Sequence, residues 1–242
     1  MSSTTPRPTR REQRRASTVQ EIKALAMQQI SVGGPDAVSL SGIVREMSMS
    51  PAAVYRYFEN RDALLGELVV DSYTEFADFL VASASGPAHA DRLRSVLTAV
   101  RGWALAHPNA YRLIFHNSIG SGRELEAERT LAAADRSMTA IVAALAAMDP
   151  KEARGAQEAD GSDPFLPPAL DAAVAEWSER SGFSAVAPRA SALGLVSWTR
   201  LHGVISLELG GHLAATGIDP AVLYDSEVAA LVVAASRGYA AR

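Results

Sequence analysis

The chain has 242 residues, 48% of them hydrophobic and 21% charged, enough to bury a sizeable core. It contains no cysteine, which excludes disulfides and thiolate metal sites. The net charge of −4 is uneven: residues 1–65 hold nine Lys/Arg and six Asp/Glu, a net of +3, and the remaining 177 hold 14 and 21, a net of −7. A basic end on an acidic protein points to an amino-terminal contact with a polyanion; a solvated tail is the alternative. The opening MSSTTPRPTRREQRR has no apolar run behind its arginines, and no stretch reaches the ~18 apolar residues of a membrane span. A cytoplasmic protein with no membrane contact is therefore expected.

In chain order the pattern is helical almost throughout, with apolar residues at three- and four-residue spacing between turn clusters. After a basic arm, residues 1–16, expected to be flexible, a first helix is predicted over about 17–32, with Val19, Ile22, Leu25 or Ala26, and Ile30 on one stripe. GGPDA at 33–37 stops it. Ser39 then caps a short helix to about Met47. Ser50 caps another that begins at Pro51, with only Ser48 and Met49 between the two. Asn60 caps a long fourth helix from Arg61 to about Ala84. Helices follow over about 89–107, 109–120 and 123–148, then a Pro-, Gly- and charge-rich loop over 149–168. The last three are predicted over about 169–181, 188–214 and 219–240. No strand and no fixed-period repeat is evident, so the expected class is all-α.

Two short helices joined by a tight turn and preceded by a longer one match the helix-turn-helix arrangement. On the second short helix, Val54, Tyr57 and Phe58 fall on one face, suited to packing on Ile43, Val44 and Met47. Ala52, Tyr55 and Arg56 fall on another. That second face suits DNA: small residues allow close approach to base edges, and a phenol or guanidinium reaches a phosphate or a guanine.

The stretch VSLSGIVREMSMSPAAVYRYFENRDALL, residues 38–65, resembles the DNA-binding domain of TetR-family transcriptional repressors. Val54, Tyr55, Phe58, Arg61, Leu64 and Leu65 match that family's recognition helix and the start of its fourth helix. Ser48 departs from it, standing at a turn position where the family usually has Gly. The resemblance implies phosphate or base contacts for Tyr55 and Tyr57 and a backbone contact for Arg61. It implies a phosphate at the hydroxyls of Ser39 and Ser41, with Ser50 at the start of the recognition helix. Ala52, Ala53 and Arg56 are then expected to face bases. Two readings stay open for Tyr57, core or contact, and two for Ser39, cap or contact. The arm RPTRREQRR is expected either to enter a minor groove or to remain a tail. The implied division is a helix-turn-helix domain over 17–62 and an effector-binding and dimerisation domain over 63–242.

HPNAYRLIF at 107–115 and SWTRLHGVISLELGGHL at 197–213 are similar to a TetR subfamily named for its Trp-x-x-x-His-Gly motif, here Trp198, His202 and Gly203. Two readings apply: core packing by a buried Trp and a satisfied His, or an effector pocket shared with Trp103, Tyr111 and Phe115. Gly203 is expected to let another helix approach. Leu193, Val196, Leu201, Val204, Leu207, Leu223, Val228, Leu231 and Val232 exceed what one side of a helix pair needs. With the resemblance, they imply a homodimer on a near-palindromic, double-stranded DNA operator and release by a small, largely apolar effector of unknown identity.

The five histidines form no metal-ligand pairing, and no nucleophile elbow, P-loop or dinucleotide fingerprint is present. No enzymatic activity, cofactor or metal is expected. The alternatives are an all-helical interaction module, or an enzyme without a recognisable catalytic motif.

Overall fold

The computed structural model describes residues 9–115, 127–148 and 168–240. Residues 1–8 of the expected arm, 116–120 and 123–126 of two expected helices, and 149–167 of the expected loop lie outside the described residues. The elements are α1 (Arg10–Gly33), α2 (Leu40–Glu46), α3 (Pro51–Tyr55), α4 (Arg61–Ser83), α5 (His89–Ala106), α6 (Pro108–Phe115), α7 (Ala127–Ala146), α8 (Pro168–Arg180), α9 (Pro188–Leu209) and α10 (Pro220–Ala240). Short 3-10 turns stand at Pro35–Ala37 and Ala214–Thr216, and no strand occurs among the described residues. The protein is all-α.

Two compact units divide the chain: residues up to Ser72 with 109–127, and residues 73–108 with 128–242. The division falls inside α4, beyond the boundary expected at residue 62.

In the first unit α1 begins at Arg10, earlier than the apolar stripe suggested. Thr9 is the reason. Its hydroxyl accepts from the Glu12 backbone N–H at 3.3 Å, and the Glu12 carboxylate accepts from the Thr9 N–H at 2.7 Å, a capping box that satisfies two end donors. Residues 10–16, expected as part of a flexible arm, are therefore helical. The helix stops where Gly34 takes a φ of 74° and its N–H returns to the Ile30 carbonyl.

Ile22, Ala26 and Ile30 of α1 meet Ile43 and Val44 of α2, Val54 of α3, Phe58, and Leu64, Leu65 and Leu68 of α4 in one buried cluster. Val19 and Leu25, on the expected stripe, border it half-buried. One cation enters this side of α1. The Lys23 ammonium is buried between the carboxylates of Asp71, at 2.6 Å, and Glu67, at 3.2 Å, one turn apart on α4. No apolar pattern signals that pairing.

The turn between α2 and α3 closes by two reverse bonds: Ser48 N–H to the Arg45 carbonyl at 3.2 Å and Met49 N–H to the Val44 carbonyl at 3.1 Å. This is a Schellman closure, with Met49 packed against the cluster that contains Val44. Its left-handed position is Ser48, at φ 53°, the one positive-φ residue other than glycine among the described residues. The end of α9 has the same pattern, with Gly211 at φ 72° and His212 N–H on the Leu207 carbonyl at 2.9 Å. That closure stops α9 at Leu209, short of the expected end at 214.

In the second unit α9 packs against α5, α8 and α10. An added Cβ at Gly194 would stand 2.7 Å from Val142 Cγ2, so α7 and α9 approach through a missing side chain. The Tyr224 hydroxyl donates to the Leu97 carbonyl at 2.7 Å, fixing α10 to α5. Arg101 grips Glu208 with two bonds of 2.8 and 2.6 Å, fixing α5 to α9. The Glu208 hydrogen bond raises the Arg101 pKa.

Of the residues expected at an intersubunit face, Leu193, Leu201, Val204, Val228, Leu231 and Val232 are buried within the one chain. Helices α9 and α10 pack on each other and both pack on α5, so these side chains have partners within the one chain. Gly203 lies open, with nothing within 4 Å of an added Cβ, so no helix among the described residues comes close there.

Two outcomes test this description. Ser48→Gly should raise stability by up to ~1 kcal/mol, because glycine removes the left-handed penalty and returns part of it as unfolded-state entropy; an increase in the urea midpoint checks it. Hydrogen bonds from Thr9 lower the Glu12 pKa below 4.5, so the capping box contributes above pH 4.5 and is lost as pH falls through the folded-state value. Amide exchange at Arg10–Gln13 should accelerate over that acid window, and a rate indifferent to pH beyond intrinsic exchange would contradict it.

Candidate nucleic-acid interface

Helix α3 opens at Pro51 and ends after Tyr55, where the Arg56, Tyr57 and Phe58 N–H groups all turn back to the Val54 carbonyl. The Ala53 N–H bonds the Ser50 carbonyl at 2.9 Å, closing the first turn through backbone. Ser50 holds the N-cap position, yet its hydroxyl makes no capping bond and is exposed. Val54 and Phe58 turn inward. Ala52, Tyr55 and Arg56 are exposed, with Tyr55 half open to solvent at 50%. Ala53 corrects the expectation: it is buried beside Val54, so its methyl is not part of the exposed face.

Tyr57 lies past the end of α3, in a turn whose N–H returns to the Val54 carbonyl at 2.9 Å. Its ring packs half-buried on the core, and the Arg15 guanidinium stands 5.1 Å above the ring centroid. The aromatic face is thus covered from α1, a contact the sequence did not announce because α1 was expected to start after Arg15.

The start of α2 is built from hydroxyls. Ser39 Oγ accepts from the Gly42 N–H at 3.2 Å and lies 3.0 Å from Ser41 Oγ, while Gln29 of α1 accepts from the Ser39 N–H at 2.7 Å. Ser39 therefore caps, and Ser41 beside it is exposed. Asn60 caps α4 as expected, accepting from the Ala63 N–H at 2.8 Å.

Arg61 is placed differently from the expectation of a side chain extended toward a phosphate. Its guanidinium donates to the Val38 carbonyl at 3.2 Å, the Pro35 carbonyl at 2.7 Å, Asp36 at 3.0 Å and Asp62 at 3.4 Å. Only 27% of the side chain is exposed. It clasps the turn that leads into α2, which is a structural task. Spacing showed a basic residue at the start of α4, and nothing in spacing shows which carbonyls fold back over it.

The remaining cations of the unit sort by position. Lys23 and Arg61 are engaged internally, whereas Arg10, Arg11, Arg14, Arg15, Arg45 and Arg56 are exposed, with no carboxylate at ion-pair distance among the described residues. Several acids of the unit are tied down as well: Glu12 in the capping box, Asp36 and Asp62 on Arg61, Glu67 and Asp71 on Lys23.

The candidate effector residues divide between the two units. Trp103, in the second unit, is buried against Phe76, 4.8 Å between ring centroids, and stacks on His107 at 5.4 Å. Its Nε1 has no hydrogen-bond partner among the described residues. Trp198 and His202, also in the second unit, meet edge-on at 5.2 Å, with Trp198 37% exposed. This corrects the reading of a buried core Trp, because α9 turns that side to solvent. Tyr111 and Phe115 belong to the first unit, with rings 4.9 Å apart and Tyr111 buried. Among the described residues no helix is long and apolar enough to cross a membrane, and no cluster of three or more acidic, His or Cys side chains could hold a metal.

A capped short helix, a Schellman turn and a second short helix with a packed and an exposed face define a helix-turn-helix DNA-binding protein. Comparison with known proteins agrees. Residues 22–68 match the family of bacterial regulatory proteins, tetR family, and residues 93–231 match the tetracyclin repressor-like C-terminal domain. The HTH-type transcriptional regulators Rv1816 of Mycobacterium tuberculosis and Mb1846 of Mycobacterium bovis are each 29% identical over 218 residues, 88% of this chain and 89% of theirs. The crystal structure of SCO4313, described as a regulatory protein, superposes with a TM-score of 0.71 at 35% identity, covering 94% of this chain and 98% of that one. A protein of unknown function from Rhodococcus sp. RHA1 shares the fold, with a TM-score of 0.62 at 23% identity over 92% of this chain and 95% of that one. The chain belongs to the TetR family of DNA-binding transcriptional regulators, which are not enzymes.

Arg61→Ala should lower the stability of the first unit by about 1–3 kcal/mol, since the hydrogen bonds that its charged guanidinium donates to the Val38 and Pro35 carbonyls are lost. A denaturant melt of the full chain checks it. An unchanged midpoint would return Arg61 to a purely surface role.

Proposed function

We propose that this regulator is a repressor that holds a near-palindromic operator as a homodimer and leaves it when a small, largely apolar effector binds. The observation that carries the DNA side is the exposed face of α3. Ala52 and Arg56 are assigned to base edges and Tyr55 to a base or phosphate. Ser39, Ser41, Ser50, the Tyr57 hydroxyl and the exposed edge of Arg61 are assigned to phosphates. Ala53 supports the helix from within.

Dimerisation is proposed through the apolar surface that α9 and α10 leave uncovered in one chain. Leu207 of α9 and Val222 and Val233 of α10 are exposed, and the open Gly203, one turn before Leu207 on the same side of α9, gives a partner helix room for close approach. A two-fold dimer then sets recognition helices ~34 Å apart. Trp198, His202 and Gly203 also support the narrower subfamily reading.

For the effector, the buried Trp103 N–H supports a ligand with one hydrogen-bond acceptor on an otherwise apolar body. Tyr111, Phe115, Trp198 and His202 remain the other candidates. Helix α4, continuous from Arg61 to Ser83, is the proposed lever. Coupling of ~1–3 kcal/mol would weaken operator binding about 5- to 150-fold, and DNA must weaken effector binding equally.

Tyr55→Ala should weaken binding to DNA from the chain's own upstream region by about tenfold or more without moving the melting midpoint, because the side chain is exposed. Anisotropy titration checks it, and parental affinity in the variant would remove this face of α3 from the interface.

A further inference from the structure

We infer that the first two turns of α1 form a second phosphate-binding edge, with Arg11 and Arg14 as its contacts and Arg15 as the residue that joins it to the recognition helix. The inference rests on the DNA-binding reading and adds residues to that same surface.

The helical register makes the case. Val19, Ile22, Ala26 and Ile30 mark the side of α1 that faces the core of the first unit. Stepping back along the same line by three or four residues reaches Arg15 and then Arg11. The side of the helix that carries apolar groups over the core therefore carries arginines where the helix runs beyond it. Arg14 and Arg10 flank that line; at about 100° per residue all four lie within ~140° of arc.

Arg15 fixes where this basic arc points. Its guanidinium stacks over Tyr57, two residues beyond the exposed Tyr55 and immediately after Arg56. The basic arc is thus continuous with the end of α3. Arg11 lies one turn further out on the same side.

The electrostatics agree. All four arginines are exposed and have no carboxylate at ion-pair distance among the described residues. Glu12, the acid among them, falls outside the arc and is held by Thr9 in the capping box. Unpaired arginines pre-set on a capped helix fit a regularly spaced polyanion, and duplex DNA presents one. An arginine fixed over an aromatic face also holds that ring in place, so Arg15 positions Tyr57 rather than reading DNA itself.

The test measures the salt dependence of DNA binding by the full chain, using its upstream region and a mixed-sequence duplex. Each phosphate contact contributes about 0.9 to the slope of log K against log salt. Arg11→Gln with Arg14→Gln removes two contacts per protomer and four per homodimer, so the slope should shrink by about 3.6 on both duplexes and binding should weaken about tenfold or more at moderate salt. Arg11→Lys with Arg14→Lys should keep the slope. Arg94→Gln, an exposed arginine of the second unit, should leave it unchanged. Arg15→Gln should weaken binding and quicken motion of the Tyr57 ring by NMR, whereas Arg15→Lys restores neither in full. A parental slope in the glutamine pair overturns the assignment. So does a slope lost equally in the lysine pair, which would trace the effect to the helix rather than to phosphates. If the parent chain itself shows no salt-sensitive binding, the DNA-binding reading fails and not this extension alone.

Discussion

The guanidinium of Arg61 determines whether the first unit has a usable surface. By holding the carbonyls of Pro35 and Val38 it fixes the chain between α1 and α2, and so the angle at which α2 starts. Helix α3 hangs from α2 by a four-residue turn and has only five residues of its own. An isolated helix that short has no independent stability, so its orientation is inherited from its supports. Lys23 acts in parallel on the other side, binding α1 to α4 through Asp71 and Glu67. Lys23 and Arg61 thus serve the architecture of the unit, while Arg10, Arg11, Arg14, Arg15, Arg45 and Arg56 are exposed.

That division limits what a charge count can say. The net +3 of residues 1–65 correctly marks the end that meets a polyanion. It does not separate arginines that clasp carbonyls from arginines that face outward. Arg61 was assigned to a phosphate by resemblance, and spacing alone carries no record of the loop that folds against it. Arg15 and Arg11 fall in the arm expected either to enter a minor groove or to remain a tail, because apolar periodicity begins only at Val19. The capping signal Thr9-x-x-Glu12 was present in the letters, yet a helix that outruns its core has no apolar stripe to announce it.

The fold itself was readable because helix stops and starts here rest on local chemistry. Asn60, Ser39 and Pro51 act at the positions their side chains predict. Burial was harder to read. Ala53 is small enough to suit either face, and only packing decides. For Trp198 the letters allow a core or a pocket position, and α9 turns it partly outward. Leu193, Leu201 and Val228 went the opposite way, because a helix pair with partners on several sides needs more apolar surface than a two-helix contact suggests.

One consequence follows from Ser48. A left-handed serine stores strain of roughly 1 kcal/mol in the hinge from which α3 is suspended. Because glycine returns part of that energy as conformational entropy, the strain favours brief release of the hinge by at most about fivefold over a glycine turn. The angle of α3 is therefore set through a single backbone position that serine occupies under strain, and the turn is softer than the helices it joins.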